Sequence, residues 1–199
     1  HDVSIGDVNN DGEQDIVTTN YGDDNVSIYC WNATKGDWED QITKWVEDKP
    51  LGMGIGDANN DGHQDIGVTN SEGNNITIYC WNATIKDWEE EVTKTVGWDP
   101  NRARIGDVNN DGEEDIITVN PAFDRVAIMC WNATKGDWDD SFTESVGDQP
   151  YGLSLGDANN DGQQDIVTSN QGAGGTISIL CWNATIGEWE DPDTKTVGI

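Results

Sequence analysis

Positive charge is what this sequence has least of: its 199 residues hold 10 Lys and Arg against 39 Asp and Glu, a formal net charge of −29. Binding to nucleic acid is argued against, because neutralising a phosphate backbone takes clustered basic side chains. An anionic membrane surface would repel the chain for the same reason. Long apolar runs are also missing. The longest, Val126 to Trp131, has six residues, against the roughly 20 that cross a bilayer. No N-terminal stretch has the form of a secretion signal, which reads as a mature or excised piece. Histidine is confined to His1 and His63, without a nucleophile elbow, a phosphate loop or a Cys–His pairing. A catalytic constellation is therefore lacking and the expectation is a non-enzyme. Helical periodicity is absent too. What remains, at only 34% apolar residues, still includes ten Trp and many Val, Ile and Thr, a composition that argues against disorder.

The acidic residues fall in a repeat. The text IGDVNNDGEQDI at Ile5 returns near Ile55, Ile105 and Leu155, and CWNATKGDW at Cys30 returns at Cys80, Cys130 and Cys181. The period is 50 residues, broken by a single insertion in the glycine-rich stretch from Gly172 to Gly175. Units one and three share Val8 and Val108, whereas units two and four share Ala58 and Ala158, so a two-unit block was duplicated. Each unit carries four short β-branched or alternating runs, for example at 3–5, 15–20, 26–30 and 42–46, separated by Gly, Asn and Asp. Pro50, Pro100 and Pro150 mark the crossings between units. The expected fold is all-β: one repeat domain over 1–199 of propeller type. Its four-stranded antiparallel blades lie at about 1–50, 51–100, 101–150 and 151–199. One such sheet cannot cover its own faces, so blades must stack.

The loop Asp7-Val-Asn9-Asn-Asp11-Gly12-Glu13-Gln-Asp15 sets oxygen side chains at positions 1, 3, 5 and 9 with Gly at 6. That spacing suits a hard cation. Alternate side chains converge, Gly allows the bend, and position 7 offers its backbone carbonyl. The same set returns as Asp57, Asn59, Asp61, His63 and Asp65; as Asp107, Asn109, Asp111, Glu113 and Asp115; and as Asp157, Asn159, Asp161, Gln163 and Asp165. All-oxygen ligation with three carboxylates favours Ca²⁺, about four ions per chain. Three like charges in nine residues are costly without a cation, and this outweighs the alternative of a metal-free Asx-rich turn. An EF-hand would need an acid at position 12 and flanking helices; here that position is Thr18, Val68, Thr118 or Thr168, in strand text.

The pattern GD-x-N-x-DG-x-x-DI after a short strand resembles the FG-GAP (VCBS-like) repeats of integrin α-chain propellers and of propeller lectins, over all four units. The resemblance implies a Ca²⁺ loop between the first two strands of each blade. It departs in lacking the Phe-Gly and Gly-Ala-Pro elements and in having four blades where seven are usual.

Four cysteines, Cys30, Cys80, Cys130 and Cys181, hold equivalent positions, too far apart for disulfides across blades, and are expected as buried free thiols in the third strand. Asn32, Asn82, Asn132 and Asn183 open Asn-x-Thr sequons, to be read as glycan acceptors or as turn residues. Trp31 with Trp38, Trp81 with Trp88, Trp131 with Trp138 and Trp182 with Trp189 either contact a sugar or partner, or stiffen a hairpin. The expected role is a non-enzymatic calcium-binding repeat protein, extracellular or on the cell surface, acting in adhesion, ligand binding or surface and fibre assembly. Its partners would be an extracellular protein or glycan ligand, or further copies closing an eight-bladed ring or joining into a fibre; both forms of self-association are suggested by the blade-boundary positions of His1 and Ile199. Alternative readings are a multivalent carbohydrate-binding lectin and a calcium-dependent hydrolase.

Overall fold

The computed structural model describes residues 1–172 and 174–197, so the end of the chain at Ile199 and Ala173 of the insertion lie outside the described residues. The protein is all-β. The first unit comprises β1 (Val3–Gly6), β2 (Asp15–Asn20), β3 (Asn25–Tyr29), a two-stranded ribbon of β4 (Trp31–Asn32) and β5 (Asp37–Trp38), and β6 (Ile42–Trp45). Strands β1, β2, β3 and β6 form an antiparallel sheet in that order, with Ile5 opposite Ile16, Val17 opposite Ile28, and Ile28 opposite Ile42.

The second unit repeats this as β7 (Pro50–Gly56), β8 (Asp65–Asn70), β9 (Asn75–Tyr79), β10 (Trp81–Asn82), β11 (Asp87–Trp88) and β12 (Val92–Thr95). The third is β13 (Ala103–Gly106), β14 (Asp115–Asn120), β15 (Arg125–Met129), β16 (Trp131–Asn132), β17 (Asp137–Trp138) and β18 (Phe142–Ser145). The fourth is β19 (Pro150–Gly156), β20 (Asp165–Asn170), β21 (Thr176–Leu180), β22 (Trp182–Asn183), β23 (Glu188–Trp189) and β24 (Asp193–Thr196). Each gives one four-stranded sheet and one ribbon, and among the described residues no sheet closes on itself.

One expected strand bound is corrected, and the structure adds two further details. The third strand stops at Tyr29, one residue before Cys30, because Trp31 and Asn32 leave the sheet to pair with Trp38 and Asp37 in the ribbon. Pro50 and Pro150 lie at the crossings between units, on the side of the following one. They open β7 and β19, where proline is tolerated at the first residue of a strand. A 3₁₀ turn at Pro121–Phe123 replaces the β2–β3 type of turn in the third unit.

The core lies between sheets rather than within one. Val17, Val26 and Ile28 of the first sheet pack on Met53, Ile66 and Val68 of the second. Ile76 and Ile78 of the second meet Ala103, Ile116 and Met129 of the third. Val126 and Ile128 of the third meet Leu153, Ile166 and Leu180 of the fourth. All six residues of β8 and of β14 are buried, because both faces are covered. In β2, burial alternates with residues 15, 17 and 19 inside, and in β20 it fails at Val167 and Ser169. The first sheet thus lacks a neighbour on one face and the fourth on the opposite face. Glycine makes the innermost approach possible: a Cβ on Gly6 would fall 2.8 Å from Ile55, and one on Gly106 would fall 2.9 Å from Leu155.

Candidate functional site

Every acidic loop lies between the first and second strands of its sheet, where the repeat text placed it. The chain turns back through a left-handed residue, Asn10 (φ 53°), and through Gly12 (φ 95°), a value that favours glycine. The Asp7 carboxylate accepts the N–H of Asp11 and of Gly12, both at 2.9 Å. Asn9 accepts from the Asp11 N–H at 3.0 Å and donates its amide to the Asp11 carboxylate at 2.9 Å, while Asp11 accepts from the Glu13 N–H at 2.9 Å. The side chains at positions 1, 3 and 5 are thereby gathered over one turn. The other three loops repeat these bonds through Asp57, Asn59 and Asp61, through Asp107, Asn109 and Asp111, and through Asp157, Asn159 and Asp161. At position 7, Glu13, His63, Glu113 and Gln163 each donate a backbone N–H to the position 5 aspartate, so the side chain there takes no part in that turn.

Position 9 is different. Asp15, Asp65, Asp115 and Asp165 are fully buried and open the second strand. Each accepts from the ribbon, Asp15 from the Trp31 N–H at 2.9 Å and Asp65 from the Trp81 N–H at 2.8 Å, and from the loop's own backbone. Asp115 and Asp165 do the same with Trp131 and Trp182. One carboxylate therefore joins strand, loop and ribbon. Burial pushes the Asp65 and Asp115 carboxyls up to about 7, with the backbone N–H groups pulling down and the other loop aspartates pushing up. Asp15 is raised for the same first cause.

Among the described residues, no loop carboxylate takes part in an ion pair with Lys or Arg. Nor do three His, Cys, Asp or Glu side chains form a ready cage. Their oxygens are turned onto the loop's own N–H groups, and the position 3 residue is an asparagine. The donor set is nonetheless all oxygen, shared among three carboxylates and an amide, and fits a hard cation.

Sequence reasoning missed a second role of the loop. Asn10 donates to the Gln64 carbonyl at 3.1 Å and accepts the Gln64 N–H at 2.8 Å, clamping its loop to the next one. Asn60 clamps Glu114 and Asn110 clamps Gln164 in the same way. The signal was present as an invariable Asn at position 4. A second link also went unread: Lys44 reaches Asp87 at 3.0 Å and Lys94 reaches Asp137 at 2.6 Å, each ammonium lying over the Trp ring of the neighbouring ribbon.

In all four ribbons the Trp pair stands directly opposite, edge to face, with centroids 5.0 to 5.2 Å apart. The sequon asparagines build the turn: Asn32 accepts the Lys35 N–H and donates to Glu39, Asn82 donates to Glu89, Asn132 to Asp139 and Asn183 to Glu190. The cysteines are free thiols, as expected, but they sit just past the third strand, with Cys30 and Cys80 buried and Cys130 and Cys181 half-buried. Burial, with the nearby position 9 aspartate, pushes the Cys30 and Cys130 thiols up to about 12.

The family model for the FG-GAP-like repeat matches residues 7–68, 57–118 and 107–168, each match running from one acidic loop through the next. The chain belongs to the FG-GAP-like repeat family. Among curated proteins, none matches this FG-GAP-like sequence. Solved structures share its arrangement at low identity. Hydrazine synthase of Kuenenia stuttgartiensis aligns with TM-score 0.59 at 14% identity, over 92% of this chain and 46% of that one. A Bacteroides uniformis protein assigned provisionally as a 6-phosphogluconolactonase aligns with TM-score 0.68 at 13% identity, over 93% and 55%. An auxiliary nutrient binding protein of Bacteroides ovatus aligns with TM-score 0.61 at 11% identity, over 96% and 46%. The FG-GAP-like chain spans about half the length of these structures, and the likeness is one of fold.

Proposed function

We propose that the chain is a calcium-stabilised, propeller-type binding module that works outside the cell or at its surface and performs no catalysis. The observation that carries this reading is the fourfold loop, in which two carboxylates and an amide are gathered over one turn, a third carboxylate is buried at the loop's end, and among the described residues none pairs with Lys or Arg. Asp7, Asn9, Asp11 and Asp15, with the Glu13 carbonyl, and their counterparts in the other three loops would hold one Ca²⁺ each. The ion supplies positive charge that offsets the repulsion among the aspartates and the burial of the position 9 carboxylate. Weak sites of this kind, on the order of 10⁻⁴–10⁻³ M, fill at extracellular calcium. Thiols held protonated by burial support the absence of a cysteine nucleophile.

Calcium titration by calorimetry should find about four sites per chain, and chelation should lower the melting temperature. At a calcium concentration ten times Kd, each site adds about 1.4 kcal/mol to stability. A melting temperature unmoved by chelator would end the calcium reading.

A carbohydrate ligand is the second reading. The crevice between the first and second sheets is lined by Trp81, Trp88, Lys44 and Asp87, and Trp182, Trp189 and Phe142 line its counterpart between the third and fourth. Among the described residues the buried Nε1–H groups of Trp88, Trp138 and Trp189 have no partner, and a hydroxyl-bearing ligand would satisfy them where the Trp ring shifts to admit it. A glycan array with and without calcium tests it; no binding under either condition discards it.

A further inference from the structure

Three sheet-to-sheet contacts inside the chain define a template. Its forward half is a first-strand residue such as Ile55, with a ribbon aspartate such as Asp87, and its rear half is a glycine such as Gly6, a loop asparagine such as Asn10 and a lysine such as Lys44. Each half is also present once without its mate. On the first sheet, Val3 and Ile5 are 63% and 68% exposed, whereas Met53 and Ala103, the counterparts of Val3, are fully buried. Trp38 is 40% exposed against 5% for Trp88. On the fourth sheet, Ala158 is exposed where Val8, Ala58 and Val108 are fully buried. Nothing lies within 4 Å of a Cβ placed on Gly156, in contrast to Gly6, Gly56 and Gly106.

The polar parts of the template are open at the same two ends. Asn160 has the left-handed backbone of the clamping asparagines (φ 64°), yet among the described residues it clamps no neighbour. Gln14 on the first loop is the position that Gln64, Glu114 and Gln164 fill in the others. Lys195 holds the place of Lys44 and Lys94 and reaches only the exposed Asp193 of its own strand. Asp37 holds the place of Asp87 and Asp137 and accepts only from the backbone of Trp38.

We propose that these faces are the two halves of a fourth, intermolecular contact, in which the first sheet of one copy docks on the fourth sheet of another. Ile5 of one copy then covers Gly156 of the other, Asn160 clamps Gln14, and Lys195 pairs with Asp37 across Trp38. The contact is heterologous, so it closes into a ring or continues as a fibre. It uses no proposed metal ligand, and its test is therefore separate from the calcium reading.

Sedimentation equilibrium of the chain in calcium, over a range of concentrations, tests it. The wild type should give masses above 21.8 kDa in multiples of that value, whether they stop at a ring or continue. Gly156→Ala adds a Cβ that meets nothing within 4 Å and Ile5→Arg replaces a side chain that is 68% exposed, so each should stay close to the wild-type melting temperature while weakening association about tenfold or more. Lys195→Asp and Asp37→Lys should each weaken association, and mixing the two variants should restore it. A chain of 21.8 kDa at every concentration, or a Gly156→Ala variant that associates like the wild type, would overturn the proposal.

Discussion

At the residue scale, the position 9 aspartate carries more structure than the proposed metal loop would require of it. Asp115 accepts from Trp131 of the ribbon and from Asn109 of the loop, so Asp115→Ala leaves buried N–H donors unpaired. The expected loss is about 2–4 kcal/mol, larger in calcium than in chelator, measured by urea unfolding. The Asn60 clamp on Glu114 is a smaller term; Asn60→Ala should cost about 1–3 kcal/mol for its two bonds between sheets. The acidic pattern of the loop was legible because every copy repeats it. The clamp was not, because an asparagine in a loop has several uses and only the position of the next sheet selects one.

At the scale of the element, the ribbon shows how one sequence gains different weight in different places. Trp38 and Trp88 hold the same place in the repeat and in closely similar edge-to-face pairs. Trp88 is buried in the crevice beneath Lys44, while Trp38 faces outward. Trp88→Ala should therefore cost about 3–5 kcal/mol and Trp38→Ala about 1 kcal/mol, compared by denaturant midpoint. The third crevice has a flaw that can be repaired. Where the first two place a lysine against an aspartate, Glu144 and Glu188 share its lining. Glu144→Lys should raise stability by about 1 kcal/mol, or about 2–4 °C in melting temperature for a chain of this length.

At the scale of the molecule, stability is shared among stacked sheets that touch only their neighbours, as in other repeat proteins. The two inner sheets have both faces covered and the outer sheets have one. Hydrogen exchange should thus be slowest in β8 and β14 and faster in β2 and β20. Equal protection in all four sheets would mean that the outer faces are covered in solution, as the docking contact requires. At concentrations where association is complete, the difference should shrink; in Gly156→Ala it should persist.

The sequence by itself determined the period of 50, the all-β elements, the position of the acidic loop between two strands and the spacing of the oxygen side chains within it. Those features are local, written in neighbouring residues and repeated four times. It left the partition of the ribbon from the sheet ambiguous, since Val26 to Trp31 alternates without a break and only pairing ends β3 at Tyr29. Tertiary structure alone decided which copies of a residue are buried. Val3 and Met53, Trp38 and Trp88, Gly156 and Gly106 occupy equivalent places in the repeat. Each pair is divided by whether another sheet lies against it, which depends on a chain segment some 50 residues away.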